Sequence, residues 1–203
     1  MGFIHKIGPE GAIEIVTYQK PADFALEHVL PDGEGGLYLL GPTSIFQLCE
    51  GSVRVLANGF KDLSAGAAVR SKSGALYIVD GSQVVVIKGE ERRTHSTPLK
   101  LPFGIAVDPR DRCYLTDHLG NTIHAIDPEG QCHRIAGTGS PGHRDGPAAQ
   151  AEFCFPSGIV VDARGHLFIK ESGRNESHLE PLRIRELTPE GQVTTFARIN
   201  RAP

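Results

Sequence analysis

Tryptophan is absent from this chain, methionine occurs once, and aromatic residues make up only 6% of its 203 positions. A core must therefore come from Ile, Val, Leu and Ala, and the β-branched members of that set suit strands. Long apolar runs are missing too. Nothing approaches the roughly 18 apolar residues of a spanning helix, so no membrane span is expected. Only a few apolar residues separate Met1 from His5 and Lys6, fewer than the about 7–15 of an export signal, and no small-residue cleavage site follows. A cytoplasmic location is the default expectation, although a longer parent chain could be exported. Neither sign of charge dominates: 21 Lys and Arg against 24 Asp and Glu leave a formal net charge of −3, with no basic run. That excludes the electrostatic footprint of a nucleic-acid or anionic-membrane binder, and no nucleic-acid partner is expected. The four cysteines, Cys49, Cys113, Cys132 and Cys154, form no CxxC pair, so buried or half-buried free thiols are expected rather than a zinc knuckle. A GxSxG elbow, a P-loop and a GxGxxG after a strand are all lacking. Gly33-Glu34-Gly35-Gly36 reads as a turn.

What the chain does have is turn residues, 24 Gly and 14 Pro, and repetition. Gly104-Ile105-Ala106-Val107-Asp108, a turn, then Cys113-Tyr114-Leu115-Thr116-Asp117 recurs as Gly158-Ile159-Val160-Val161-Asp162, a turn, then Leu167-Phe168-Ile169-Lys170-Glu171. Weaker copies are Gly66-Ala67-Ala68-Val69-Arg70 with Leu76-Tyr77-Ile78-Val79-Asp80, and Val29-Leu30-Pro31-Asp32 with Leu37-Tyr38-Leu39-Leu40. A second half repeats as well. Ile4-His5-Lys6-Ile7 with Pro9-Glu10-Gly11 matches Ile123-His124-Ala125-Ile126 with Pro128-Glu129-Gly130, and both match Ile184-Arg185-Glu186-Leu187 with Pro189-Glu190-Gly191. Shorter versions occupy residues 45–48 and 84–87. Each half is a pair of short apolar runs bounded by turn dipeptides, and no stretch sustains a 3.6-residue period. Two hairpins per repeat of roughly 40 residues make four-stranded sheets of propeller-blade size.

The best-formed copy, Pro102-Phe103-Gly104-Ile105-Ala106-Val107-Asp108 through Tyr114-Leu115-Thr116-Asp117, Asn121, residues 123–126, Gly130 and Ile135-Ala136-Gly137, resembles the NHL repeat. Its tail, residues 139–146, Ala151-Glu152-Phe153 and Pro156-Ser157-Gly158, resembles it too. The resemblance is carried by residues 99–197 and fades over 1–98. The Asp that closes the second strand is kept as Asp80 and Asp117, becomes Glu171 in the last copy and Gly41 in the first full one. The expected fold is all-β: a β-propeller of four-stranded antiparallel blades, with about four and a half blades in an open or partial ring. The expected divisions are a half blade at 1–19 and blades at 20–59, 60–98, 99–151 and 152–203. Propellers of this kind usually close with six blades, which leaves a shortfall. A piece of a longer chain, an arc completed by another copy, or a small ring with a thinned sector would each account for it. The first agrees with Met1-Gly2 falling in mid-blade. Uncovered blade faces imply self-association.

Candidate site residues lie in the loops. The Gly-rich loop 137–151 joins two blades and carries His143 and Arg144; its glycines serve tight backbone geometry, and contact with a ligand is the alternative. The enlarged turn 170–181, with Arg174, His178 and an Asn175-Glu176-Ser177 sequon discounted for want of an export signal, is the leading place for a partner. His118 and Asn121 occupy the equivalent turn of the previous blade. Asp80, Asp117 and Glu171 stand at equivalent strand ends. They would suit a divalent cation such as calcium, but Asp in that position more often accepts hydrogen bonds from turn N–H groups. His118 and His178 are the nearest candidates for a zinc assembled across blades. The expected function is a non-catalytic binding scaffold, without cofactor or catalytic residue, that recognises a protein, peptide or glycan through His118, Asn121, His143, Arg144, Arg174 and His178. The alternative implied by the resemblance is a metal-dependent hydrolase or lyase of the gluconolactonase-like, six-bladed type, with Asp80, Asp117 and Glu171 as ligands.

Overall fold

The computed structural model describes residues 2–7, 13–18, 24–61, 63, 67–127, 129–171 and 181–199. Every regular element among them is a β-strand, and the chain divides into two compact units, Met1–Ser64 and Ala65–Pro203. In the first unit, β1 (Gly2–Ile7) and β2 (Ile13–Tyr18) form a two-stranded antiparallel sheet. A four-stranded antiparallel sheet follows in the order β3 (His28–Pro31), β4 (Leu37–Leu40), β5 (Ser44–Cys49), β6 (Ser52–Asn58). Tyr18, Phe24, Leu39, Phe46 and Leu48 form its core, with Phe24 edge-on to Phe46 at 4.7 Å between ring centroids. The β5–β6 hairpin turns through Glu50 (φ 49°) and Gly51 (φ 78°), the double positive φ that matches strand twist in a two-residue turn. This turn lifts Cys49 into solvent, a correction to the burial expected for the thiols: Cys49 is the last residue of β5, past the point where the neighbouring strand covers it.

The second unit holds three larger sheets. The first runs β7 (Ala68–Arg70), β8 (Leu76–Asp80), β9 (Gln83–Lys88), β10 (Glu91–Ser96). The second runs β11 (Pro102–Val107), β12 (Cys113–Asp117), β13 (Thr122–Ile126), β14 (Cys132–Ala136). In the third, β16 (Pro156–Val161), β17 (Leu167–Glu171), β18 (Leu182–Leu187) and β19 (Gln192–Ile199) are joined by a two-residue strand, β15 (Gly146–Pro147), along the edge of β19. Middle strands are covered on both faces, so every residue of β12 and β13 is buried. Outer strands are wet: β10, Glu-Arg-Arg-Thr-His-Ser, carries charge along an exposed edge, which blocks pairing with another chain.

The repeat recurs as backbone geometry. β11–β12 and β16–β17 carry a register shift at equivalent places, between Pro102 and Ile105 and between Pro156 and Ile159. β5–β6, β13–β14 and β18–β19 each shift at the start of the third strand. The turns between first and second strands are held alike. Oδ1 of Asp32 accepts the N–H groups of Glu34 and Gly36, Oδ1 of Asp108 those of Arg110 and Arg112, and Oδ1 of Asp162 those of Arg164 and His166. Neighbouring sheets pack through apolar cores. Leu99, Ile105, Leu115 and Ile126 meet Val79 and Val84, and Ala106, Tyr114, Ile123 and Ala125 meet Ile159, Leu167, Leu187 and Val193. A Thr116 hydroxyl stitches the second pair of sheets: it accepts the Gly104 N–H at 2.8 Å and donates to the Ser157 carbonyl at 3.0 Å. On the outer face of the last sheet Val160 is 61% and Phe196 63% exposed, and Phe168 is edge-on to Phe196 at 5.1 Å.

Candidate functional site

The turn after β12 and the loop 137–151 gather at one end of the sheets β11–β14 and β16–β19, where Asn121 meets Gly139 and Phe155. Asp117, the last residue of β12, is 4% exposed and fully engaged. Its Oδ2 accepts the Lys100 N–H at 2.9 Å, and its Oδ1 accepts those of Leu101 at 2.9 Å and Gly120 at 3.0 Å. One carboxylate thus ties the entry of its own blade to its own turn. Glu171, at the matching place on β17, also holds the entry of its blade, with a longer arm. Its Oε1 accepts the Cys154 N–H and an Arg185 Nη1–H, both at 3.0 Å, while Oε2 faces His143 Nδ1 at 3.0 Å. Asp80 is buried at the end of β8.

Arg185 is the centre of this end of the last sheet, and sequence reasoning passed it over. It is fully buried in β18. Its guanidinium meets Glu171 at 3.0 Å and Asp145 at 2.6 Å, donates to the carbonyls of Glu152 and Arg144, and lies over the Phe153 ring. The loop 137–151 is thereby fastened to the sheet by a charge from the sheet interior. Burial opposes the charged form of Asp145, but the Arg185 guanidinium together with the Thr195 hydrogen bonds outweighs it and holds the Asp145 carboxyl below the ordinary carboxylate range. Repeat register carried a signal that was available: Arg185 aligns with His124, itself buried in β13 and bonded to Thr122 at 3.0 Å. A polar side chain recurring at a buried third-strand position asks for a partner.

The remaining sequence candidates divide into structural and exposed groups. Asn121, at φ 54°, accepts the N–H of Phe155, another residue at positive φ, 50°; it holds a strained neighbour in place. His118 packs between Phe103 and Phe155, with centroid separations of 5.2 and 5.3 Å, and its Nδ1 pairs with the Pro156 carbonyl at 3.2 Å. His143 bridges Glu171 and Arg183, whose Nη1–H donates to His143 Nε2 at 3.0 Å. Arg144 pairs with Glu152 at 3.0 Å but is 63% exposed. Phe103 and Leu119 are exposed beside them. Arg174, His178 and the sequon lie outside the described residues. Asp117 and Glu171 do not fit a cation: their oxygens already accept backbone N–H groups or face basic side chains. Among the described residues, no group of three His, Cys, Asp or Glu is placed to hold a metal.

No family model matches the chain. Protein SUPPRESSOR OF QUENCHING 1, chloroplastic, of Arabidopsis thaliana is 30% identical over 78 residues, 38% of this chain and 7% of that protein. Virginiamycin B lyase from Staphylococcus aureus shares 16% identity at a TM-score of 0.69, over 96% of this chain and 62% of its own. The calcium-binding protein regucalcin from Agrobacterium tumefaciens shares 16% at 0.65, over 98% and 66%. A gluconolactonase from Xanthomonas campestris shares 16% at 0.63, over 94% and 66%. The fold is that of a β-propeller. This chain spans less than two thirds of each of these propellers, and likeness at such identity speaks for the fold alone.

Proposed function

We propose that the chain is the recognition part of an NHL-type propeller that binds a protein or peptide segment at the His118 end of its last two described sheets. One observation carries the reading. At that end the buried carboxylates are consumed in holding loops, while the groups facing solvent include Phe103, Leu119 and the Arg144 guanidinium. Aromatic and Arg side chains flanked by apolar ones are the composition of binding hot spots. Arg144 is 63% exposed beside its partner Glu152, and its outward N–H donors would favour an acidic segment. Panning a displayed library of linear peptides on the immobilised full chain tests this. Acidic sequences with apolar anchors should be enriched and should be lost on a Phe103→Ala/Arg144→Ala variant. Failure to enrich, equal retention by the variant, or binding to a glycan array in place of peptides would overturn it.

A metal-dependent hydrolase or lyase is the second reading, favoured by the lyase and gluconolactonase among the similar structures. Against it stand the engagements of Asp117 and Glu171 described above. Elemental analysis of the purified chain, followed by lactone hydrolysis with and without chelator, separates the two: chelator-sensitive turnover would replace the binding reading.

A further inference from the structure

At the opposite end of the same strands, where first strands turn into second and third into fourth, the sheets β11–β14 and β16–β19 part. The cavity between them measures about 650 Å³, within the usual range for small-molecule sites. Its floor is apolar, with Tyr114, Ala125 and Ile135 on one sheet and Leu167 and Leu187 on the other. Ala125 sits between Tyr114 and His133 in the strand register, so the smallest side chain of that row leaves the space open.

The rim is made of turns and is cationic. Arg110, Arg112 and Arg164 line it against Asp108 and Asp127. Asp108 is spent: beyond the two turn N–H groups, its Oδ2 accepts Arg112 Nε–H at 3.0 Å and the Tyr114 hydroxyl at 3.3 Å. Asp127 Oδ1 accepts the Gln131 N–H at 2.7 Å. Arg110 and Arg164 form no ion pair with any described residue. Counting Asp162, whose Oδ1 accepts the Arg164 N–H at 2.9 Å, three guanidinium groups meet three carboxylates around these turns, a balance that suits a singly charged head better than a doubly charged phosphate ester.

We infer that this cavity binds a small organic carboxylate with an apolar body. The carboxylate faces Arg110 and Arg164, whose forked donors match its geometry, and the hydrocarbon lies against Ile135 and Leu187. The site is separate from the loop end proposed for peptide recognition, so either assignment stands without the other.

Titration calorimetry with 4-phenylbutyrate, its neutral amide and the matching amine tests the assignment on the full chain. The acid is expected to bind at least about tenfold more tightly than the amide, with the amine weakest, and added salt should narrow the gap. An Arg110→Gln/Arg164→Gln variant should bring the acid down to the amide's affinity. Ala125→Leu, which fills the floor, should weaken both. If Ala125→Leu fails to fold by circular dichroism, the arginine variant decides alone, since both side chains are on the surface. No binding of the acid at 10-fold above millimolar concentration (about 10 mM, beyond the weak end of specific affinity), equal binding of acid and amide, or an undiminished preference in the arginine variant would overturn the assignment.

Discussion

Arg185 shows how a single side chain can organise a loop it does not belong to. Its charge is removed from water and compensated by Glu171, Asp145 and two carbonyls. Taking one member from such a buried set leaves the others uncompensated. Arg185→Met should therefore lower the unfolding free energy by about 3–5 kcal/mol, read from urea denaturation at neutral pH. The difference should also depend on pH in a fixed direction. Asp145 has a depressed pKa in the folded chain, so its stabilising contribution is complete above the ordinary value of 3.8 and disappears as pH falls through the lowered one. The gap between wild type and variant should narrow below about pH 4; a constant gap would remove Asp145 from the account. Arg185 was hard to read because a charged residue in a strand ordinarily marks the solvent face. Its partners lie in the loop before the blade and on the adjacent strand, where spacing says nothing. Asp117 was easier: an Asp at a strand end has short-range partners, and the expected role in turn N–H capping is the role it has.

At the level of elements, short apolar runs between turn dipeptides, with no sustained 3.6-residue period, were enough to read an all-β chain of hairpins, because strand length and turn chemistry are local properties of the sequence. β15 was not legible. Gly146 and Pro147 look like pure turn chemistry, and they become a strand only because the edge of β19 is there to pair with. The repeat also conceals a difference between equivalent glycines. A Cβ on Gly104 would lie 2.1 Å from the Ser157 carbonyl oxygen of the next sheet, whereas on Gly158 it would meet only the Lys170 Cβ at 3.6 Å. Gly104→Ala should cost about 1–3 kcal/mol by forcing two sheets apart, and Gly158→Ala should stay within about 0.5 kcal/mol. Thermal unfolding of the two variants side by side is the check. Equal losses would mean that neighbouring sheets do not approach at Gly104 as described.

For the molecule as a whole, the exposed apolar side chains of the last sheet carry the physical consequence. Val160 and Phe196 are apolar and exposed beside the half-buried Phe168, a patch that favours association when nothing covers it. Light scattering coupled to size-exclusion chromatography should show species above 21.9 kDa that grow with concentration, and Val160→Lys/Phe196→Lys should return the chain to monomer. A wild-type monomer at all concentrations would show that this face needs no partner. The proposed contact groups were the least legible in sequence, because Phe103 and Leu119 are ordinary apolar residues until a fold leaves them in solvent.

The central claim is that the His118 end is a contact surface whose buried carboxylates serve only as framework. The most direct measurement is calorimetric titration of an enriched acidic peptide into the wild type, Leu119→Asp and Arg144→Ala, each checked for an unchanged fold by circular dichroism. A loss of about tenfold or more in both variants is predicted. Unchanged affinity in both would contradict the claim and place recognition elsewhere on the propeller.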